Sequence, residues 1–266
     1  MISTRLALHA GTPPDPTTGA MLTPIYQTTT YRQGSCRPRT KDSLTVDPGI
    51  PQFRHLSDGW PHLKERSHVP VMRRAWQLRQ RCAWRCCAPA AIALCVHKRF
   101  TAAPYDFFVK LLAPFGVQAE FVDTSDEEAF AAALRKPTRF VFIETPANPT
   151  LRLTDIRLAA QLSLEAGALL VVDNTLLTPA LQRPFDFGAD IVLHSTTKFI
   201  EGHNATVGGA LITRDAELQE KLAFTRNAIG AIQSPFPRLA GLCKALRTLP
   251  LRMARHSENA CASPGS

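Results

Sequence analysis

The sequence predicts an α/β protein built around a mostly parallel sheet. Two observations carry that expectation. From about residue 105 onward, short runs of continuous apolar character alternate with segments of helical periodicity, as buried strands do when helices cover both faces of their sheet. Three of those runs also end in polar residues, at the carboxyl edge where parallel sheets bind ligands.

The elements follow in order. Residues 105–116 (YDFFVKLLAPFG) have apolar residues at helical spacing, and 117–123 (VQAEFVD) read as a short strand. Residues 125–135 (SDEEAFAAALR) predict a helix with Ser125 as N-cap, Glu128 three residues on and an Ala-rich interior. A strand follows at 138–146 (TRFVFIETP), then a helix at 154–167 (TDIRLAAQLSLEAG) capped by Thr154 and stopped by Gly167. Strand patterns recur at 168–175 (ALLVVDNT), 190–196 (DIVLHST) and 207–214 (VGGALITR), with a short helix at 183–189 (RPFDFGA). Residues 235–260 have a helical character that stops before the final CASPGS.

Residues 34–100 do not follow this pattern. The first part of the window has five Pro, scattered charges and no sustained period. Its end, 75–100 (AWQLRQRCAWRCCAPAAIALCVHKRF), reads at most as a helix without a clear amphipathic face. The window holds all three Trp, five of the seven Cys and four of the eight His. It also has 13 Lys+Arg against 4 Asp+Glu, which accounts for the whole net charge of +9, since the rest has 18 of each. The domain plan is therefore an N-terminal segment (1–33), an anomalous basic segment (34–104), a partial large domain (105–260) and an aberrant tail (261–266).

Composition bounds the rest. With 266 residues, 45% hydrophobic and 20% charged, the chain is globular in character. No run of 18 or more apolar residues occurs, so no membrane span is expected. The N-terminus lacks a basic segment followed by an apolar one, so no signal peptide is expected and the cytoplasm is the default location. A positive charge confined to one patternless window does not predict a nucleic-acid partner. Cys82, Cys86, Cys87, Cys95 and His97 lie close together, but only Cys82 and Cys86 have zinc-type spacing and no second pair follows.

The chemistry sits at the strand ends. One run ends in Glu144 with Asn148 four residues later, another in Asp173, Asn174 and Thr175, and a third in Ser195, Thr197 and Lys198. A lysine closing a buried strand is costly, because burial disfavours its charged form. Pyridoxal 5′-phosphate (PLP) would use this set: an amine for its aldehyde, a carboxylate for its ring nitrogen, and hydroxyls for its phosphate. Taken singly, each residue is an ordinary turn, cap or loop residue. Their order along one α/β unit is what points to a cofactor.

Residues 171–175 (VVDNT), 194–203 (HSTTKFIEGH) and 144–150 (ETPANPT) closely resemble the Cys/Met-metabolism group of PLP enzymes. That group includes cystathionine γ-synthases, cystathionine γ-lyases and homoserine sulfhydrylases. Residues 6–31, 224–236 and 248–260 are similar to other family stretches, so the resemblance covers roughly 1–33 and 105–260. It implies an aspartate-aminotransferase-like (fold type I) architecture, here truncated, and a homotetramer with shared active sites. Carried over by residue, it implies Lys198 as the Schiff-base lysine and proton carrier and Asp173 as partner of the pyridine nitrogen. Asn148 would bond the phenolic oxygen, Ser195 and Thr197 would hold the phosphate, and Thr175 would support the ring near Asp173. The implied activity is transsulfuration at the γ-carbon of a homoserine ester or cystathionine, with a synthase first, and a lyase or sulfhydrylase as alternatives.

The departures are equally specific. The family's Tyr-x-Arg…Asn-Pro-Thr motif, its Ser-Gly-Met-Ala-like phosphate loop and its Tyr-Gly-Gly segment do not occur in 34–100. The excess of Arg, Cys, Trp, Pro, His and Ala there is what out-of-frame reading of GC-rich codons produces. The window is thus expected to be a frame-shifted version of the family's segment. The family's C-terminal domain, with its substrate-binding arginine, is expected to be missing. Impaired activity follows, since residues of one site act as a unit. The alternative from another class is a non-catalytic basic binding protein on a degraded enzyme scaffold.

Overall fold

The computed structural model describes residues 71–72, 92–97, 107–203, 207–228, 230–231 and 244–263. The N-terminal segment and most of the basic window lie outside the described residues. Seven strands form one sheet: β1 (Val71–Met72), β2 (Ile92–His97), β3 (Val117–Val122), β4 (Phe140–Glu144), β5 (Leu169–Asp173), β6 (Ile191–Ser195) and β7 (Gly209–Thr213), in the order β1-β7-β6-β5-β4-β2-β3. Strands β3, β2, β4, β5 and β6 run parallel, and β7 pairs antiparallel with both β6 and β1. The expected mostly parallel α/β sheet is present.

The expectation that residues 34–100 stand apart needs correcting. The segment Ile92–His97 is a parallel strand between β3 and β4, and Val71–Met72 closes the far edge. The helix considered for 75–100 gives way at its end to IALCVH, because a sheet with apolar neighbours on either side takes a short apolar run as a strand. Cys95 and His97 lie on this strand, while Cys82, Cys86 and Cys87 lie outside the described residues.

Alternation along the strands explains why the runs are apolar without a break. Val141 and Ile143 of β4, Leu170 and Val172 of β5, and Val192 of β6 enter one core cluster. Phe140 and Phe142, Val171, and Ile191 and Leu193 enter a second cluster on the other face. Both faces are covered, so no polar alternation is needed. The first face is closed by α1 (Glu127–Ala133), α2 (Ile156–Glu165) and α5 (Lys244–Ala262), which contribute Phe130, Ile156, Ala159, Leu249 and Met253. The second is closed by the π-helical turn Phe107–Leu112 and by α4 (Ala216–Ala228), through Phe108, Leu112 and Leu222. A short helix α3 (Thr178–Leu181), which the sequence does not announce, follows β5. The C-terminal helix runs on to Ala262, beyond its expected end.

Both expected N-caps shift by one residue, for the same reason. The Ser125 hydroxyl and amide donate to Asp123 Oδ1 at 2.5 and 3.2 Å, so Asp126 caps α1 by accepting from the Ala129 amide at 3.0 Å. Thr154 is buried and its hydroxyl lies 2.6 Å from that of Thr124, while its amide donates to Thr145 Oγ1. Asp155 therefore caps α2, accepting from Arg157 N at 2.7 Å and Leu158 N at 3.4 Å. The stop at Gly167 is as expected: its φ of +65° is a left-handed conformation that glycine adopts without strain.

Candidate active site

Register brings the strand ends to one edge. Glu144 pairs with Asp173, Asp173 pairs with Leu193, and β6 continues past Leu193 to Ser195. Asn148 follows β4 on an exposed loop closed by Ala147 N–H to the Arg152 carbonyl at 2.9 Å. The six residues expected at the site thus all follow or close the carboxyl ends of β4, β5 and β6.

Asp173 is buried, with 2% of its surface exposed. Its Oδ1 accepts from the Thr175 amide at 3.1 Å and from the Thr175 hydroxyl at 2.5 Å. The Thr175 oxygen in turn accepts the Ser195 amide at 2.7 Å. A hydroxyl has one proton to give, so Thr175 links the end of β6 to the carboxylate at the end of β5. This chain of bonds ties the orientation of Asp173 to the end of the neighbouring strand β6.

A second layer lies beneath. Asn174 is fully buried; its amide nitrogen donates to the carbonyls of Thr178 and Gln182, and its oxygen accepts from Gln182 Nε2 at 3.0 Å. Gln182 also reaches the Thr145 carbonyl after β4. His194, likewise buried, places Nδ1 3.1 Å from the Asn174 carbonyl. A carbonyl only accepts, so Nδ1 carries the proton. The sequence names Asn174 only as a strand-end amide and gives no sign of the Gln182 or His194 contacts.

The lysine requires a correction. β6 ends at Ser195, so Lys198 sits beyond the buried strand, on a π-helical turn (Thr196–Ile200), and is exposed. Its backbone leaves the helical region there (φ −92°, ψ −128°). The desolvation expected of a strand-end lysine is not present. Flanking it, the Thr197 hydroxyl donates to the Gly208 carbonyl at 3.2 Å and accepts the Gly208 amide at 2.9 Å. A phosphate taking the Thr197 proton would compete with that carbonyl. The Thr196 hydroxyl is fully buried and has no hydrogen-bond partner among the described residues.

The donor set fits PLP. A buried carboxylate oriented by Thr175 suits a protonated ring nitrogen, an exposed amine on the adjacent turn suits an aldehyde, and Ser195 and Thr197 are hydroxyls a phosphate could use. Among the described residues no cluster of His, Cys, Asp or Glu could hold a metal ion, and no helix is long and apolar enough to cross a membrane.

The fold and sequence are those of a known class of enzymes. The chain belongs to the family described as Cys/Met metabolism PLP-dependent enzyme, which it matches over residues 92–263. It is 38% identical over 256 residues to the cystathionine gamma-synthase of Mycobacterium tuberculosis, covering 96% of this chain and 66% of that protein. To the cystathionine gamma-lyase of Bacillus subtilis it is 34% identical over 261 residues, covering 96% and 66%. Among solved structures, the cystathionine gamma synthase of Xanthomonas oryzae pv. oryzae in complex with cystathionine superposes with a TM-score of 0.88 at 35% identity. That match covers 97% of this chain and 66% of the other. The chain therefore spans just under two thirds of the length of these relatives. The alignment to the Mycobacterium tuberculosis protein spans 96% of the chain and so runs through the basic window.

Proposed function

We propose that this chain carries the PLP site of a transsulfuration enzyme of the γ-synthase type, joining the γ-carbon of a homoserine ester to a thiol such as cysteine. The observation that carries the reading is the hydrogen-bonded path from Ser195 through Thr175 to the buried Asp173, beside a turn bearing Lys198. The synthase names of several relatives favour that activity over the alternatives.

When bound, the cofactor supplies an electron sink for a carbanion at the amino-acid Cα. Asp173, oriented by Thr175, would pair with the ring nitrogen and keep a proton on it. Lys198 Nζ would hold the cofactor through its aldehyde and would be the group placed to carry protons to and from the substrate Cα and Cβ. The Ser195 and Thr197 hydroxyls would hold the phosphate, and Asn148 would bond the phenolic oxygen. The reading also includes a homotetramer in the cytoplasm, with no nucleic-acid or membrane partner. Turnover is slow, because the Ser-Gly-Met-Ala-like and Tyr-Gly-Gly segments are not in the sequence.

The test supplies PLP, an O-acylated homoserine and cysteine, and measures cystathionine. Product that forms more slowly than with an intact synthase and vanishes in Lys198→Ala supports the reading. Product unaffected by that substitution contradicts it. Release of ammonia and a 2-oxo acid without cystathionine would instead favour the lyase, the activity named for the Bacillus subtilis relative.

A further inference from the structure

The turn that bears Lys198 ends without enough backbone partners of its own. Its Thr196 and Lys198 carbonyls accept the amides of Glu201 and Gly202 at 3.0 and 2.8 Å. The next amide, that of His203, is taken by the Glu201 carboxylate at 3.0 Å. The carbonyls of Phe199 and Ile200 therefore face the usual deficit of a helix C-terminus. Ile200 is buried, so water is no substitute there.

Arg252, on α5, meets that deficit. Its Nη1 donates to the Phe199 carbonyl at 2.6 Å and its Nη2 to the Ile200 carbonyl at 3.2 Å. The same guanidinium reaches its own helix, donating from Nη2 to the Ala245 carbonyl at 2.9 Å and from Nε to Thr248 Oγ1 at 3.0 Å. Pro250, one turn on, lacks the amide that would bond the Leu246 carbonyl and loosens α5 where these side-chain bonds form. Burial pushes the Arg252 pKa down, and the buried Glu201 carboxylate acts in the opposite direction, favouring its charge. The planar fork can serve carbonyls of two elements at once, which a single ammonium cannot do with the same geometry.

The seat for this group exists because residue 202 is glycine. A Cβ at Gly202 would lie 2.5 Å from Arg252 Nη1 and 2.9 Å from Cζ, and its φ of +74° is one that side chains rarely adopt. The contact is reinforced one turn along α5, where the His256 ring meets the Phe199 ring edge-on at 5.2 Å between centroids.

We propose that Arg252, seated over Gly202, is a positioning residue that caps the lysine-bearing turn and thereby sets where Lys198 stands. The consequence for the cofactor rests on the PLP reading above; the capping itself does not. The variants are Arg252→Gln and Arg252→Lys in the full chain, with Gly202→Ala as a third that displaces the guanidinium while keeping its charge. The first readout is amide hydrogen exchange without cofactor. Exchange at Glu201 and Gly202 should accelerate by about tenfold or more in Arg252→Gln, as expected for losing charge-assisted bonds, while Val172 and Val192 in the sheet stay protected. Arg252→Lys should recover part of the protection, and Gly202→Ala should resemble Arg252→Gln.

The second readout is PLP affinity. It should weaken in step with exchange in the three variants. Unchanged exchange at residues 201 and 202 in both Arg252→Lys and Gly202→Ala would overturn the proposal. So would acceleration spread evenly through β5 and β6, which marks general destabilisation. Wild-type affinity for PLP that is unchanged in Lys198→Ala would defeat the cofactor reading alone, leaving the exchange result to judge the cap.

Discussion

The Thr175 hydroxyl donates to Asp173 Oδ1 at 2.5 Å while its oxygen accepts the Ser195 amide at 2.7 Å. One side chain thus joins the ends of two parallel strands and orients a carboxylate that is 2% exposed. Replacing Thr175 with Val keeps the shape but leaves the Ser195 amide without this acceptor. The expected cost is about 2 kcal/mol of stability, read by urea denaturation. PLP affinity should fall about tenfold, whereas Thr175→Ser should retain most of both.

Asn174 supports the same edge from below. Its side chain makes three hydrogen bonds, to Thr178, Gln182 and back from Gln182, within a fully buried site. Asn174→Ala strands those partners and should cost about 3 kcal/mol. A measured loss below that of an ordinary surface substitution would show that the network is not load-sharing with β5.

Thr196 offers the opposite case. Its hydroxyl is buried and unpartnered among the described residues. Thr196→Val has nearly the same volume and no polar atom to desolvate, so it should raise stability by about 1 kcal/mol. Chemical denaturation of the two proteins decides this, and a destabilised Val variant would contradict the assignment.

The caps give a local test. Asp126→Ala and Asp155→Ala should each cost about 1 kcal/mol. Ser125→Ala should cost much less, because its hydroxyl serves Asp123 rather than the helix.

The sheet was readable in the sequence where strands are buried on both faces, since runs such as FVFI and LLVV are apolar at every position up to the polar residue that ends each strand. Ile92–His97 was not readable, because six apolar-leaning residues inside a basic, Cys-rich stretch carry no period, and only the flanking strands β3 and β4 decide their conformation. The cap positions shift by one because Ser125 bonds Asp123 two residues back and Thr154 is drawn into a long-range bond with Thr124. Helix α4 has little periodic character, so the sequence does not announce it. At the site, the residues that close strands were legible from position alone. The support behind them was not: Gln182 acts across the sheet edge, and Arg252 lies 53 positions from the Phe199 carbonyl it bonds. Contacts of that kind leave no spacing to read.

The central claim is that Lys198 is the residue that carries PLP. The direct measurement is to incubate the full chain with PLP, reduce it with borohydride, digest it and locate the phosphopyridoxyl group by mass spectrometry. The account predicts one stoichiometric label on Lys198, absent from Lys198→Ala and weaker in Thr175→Val. A label spread over surface lysines, or one that persists undiminished in Lys198→Ala, would contradict it.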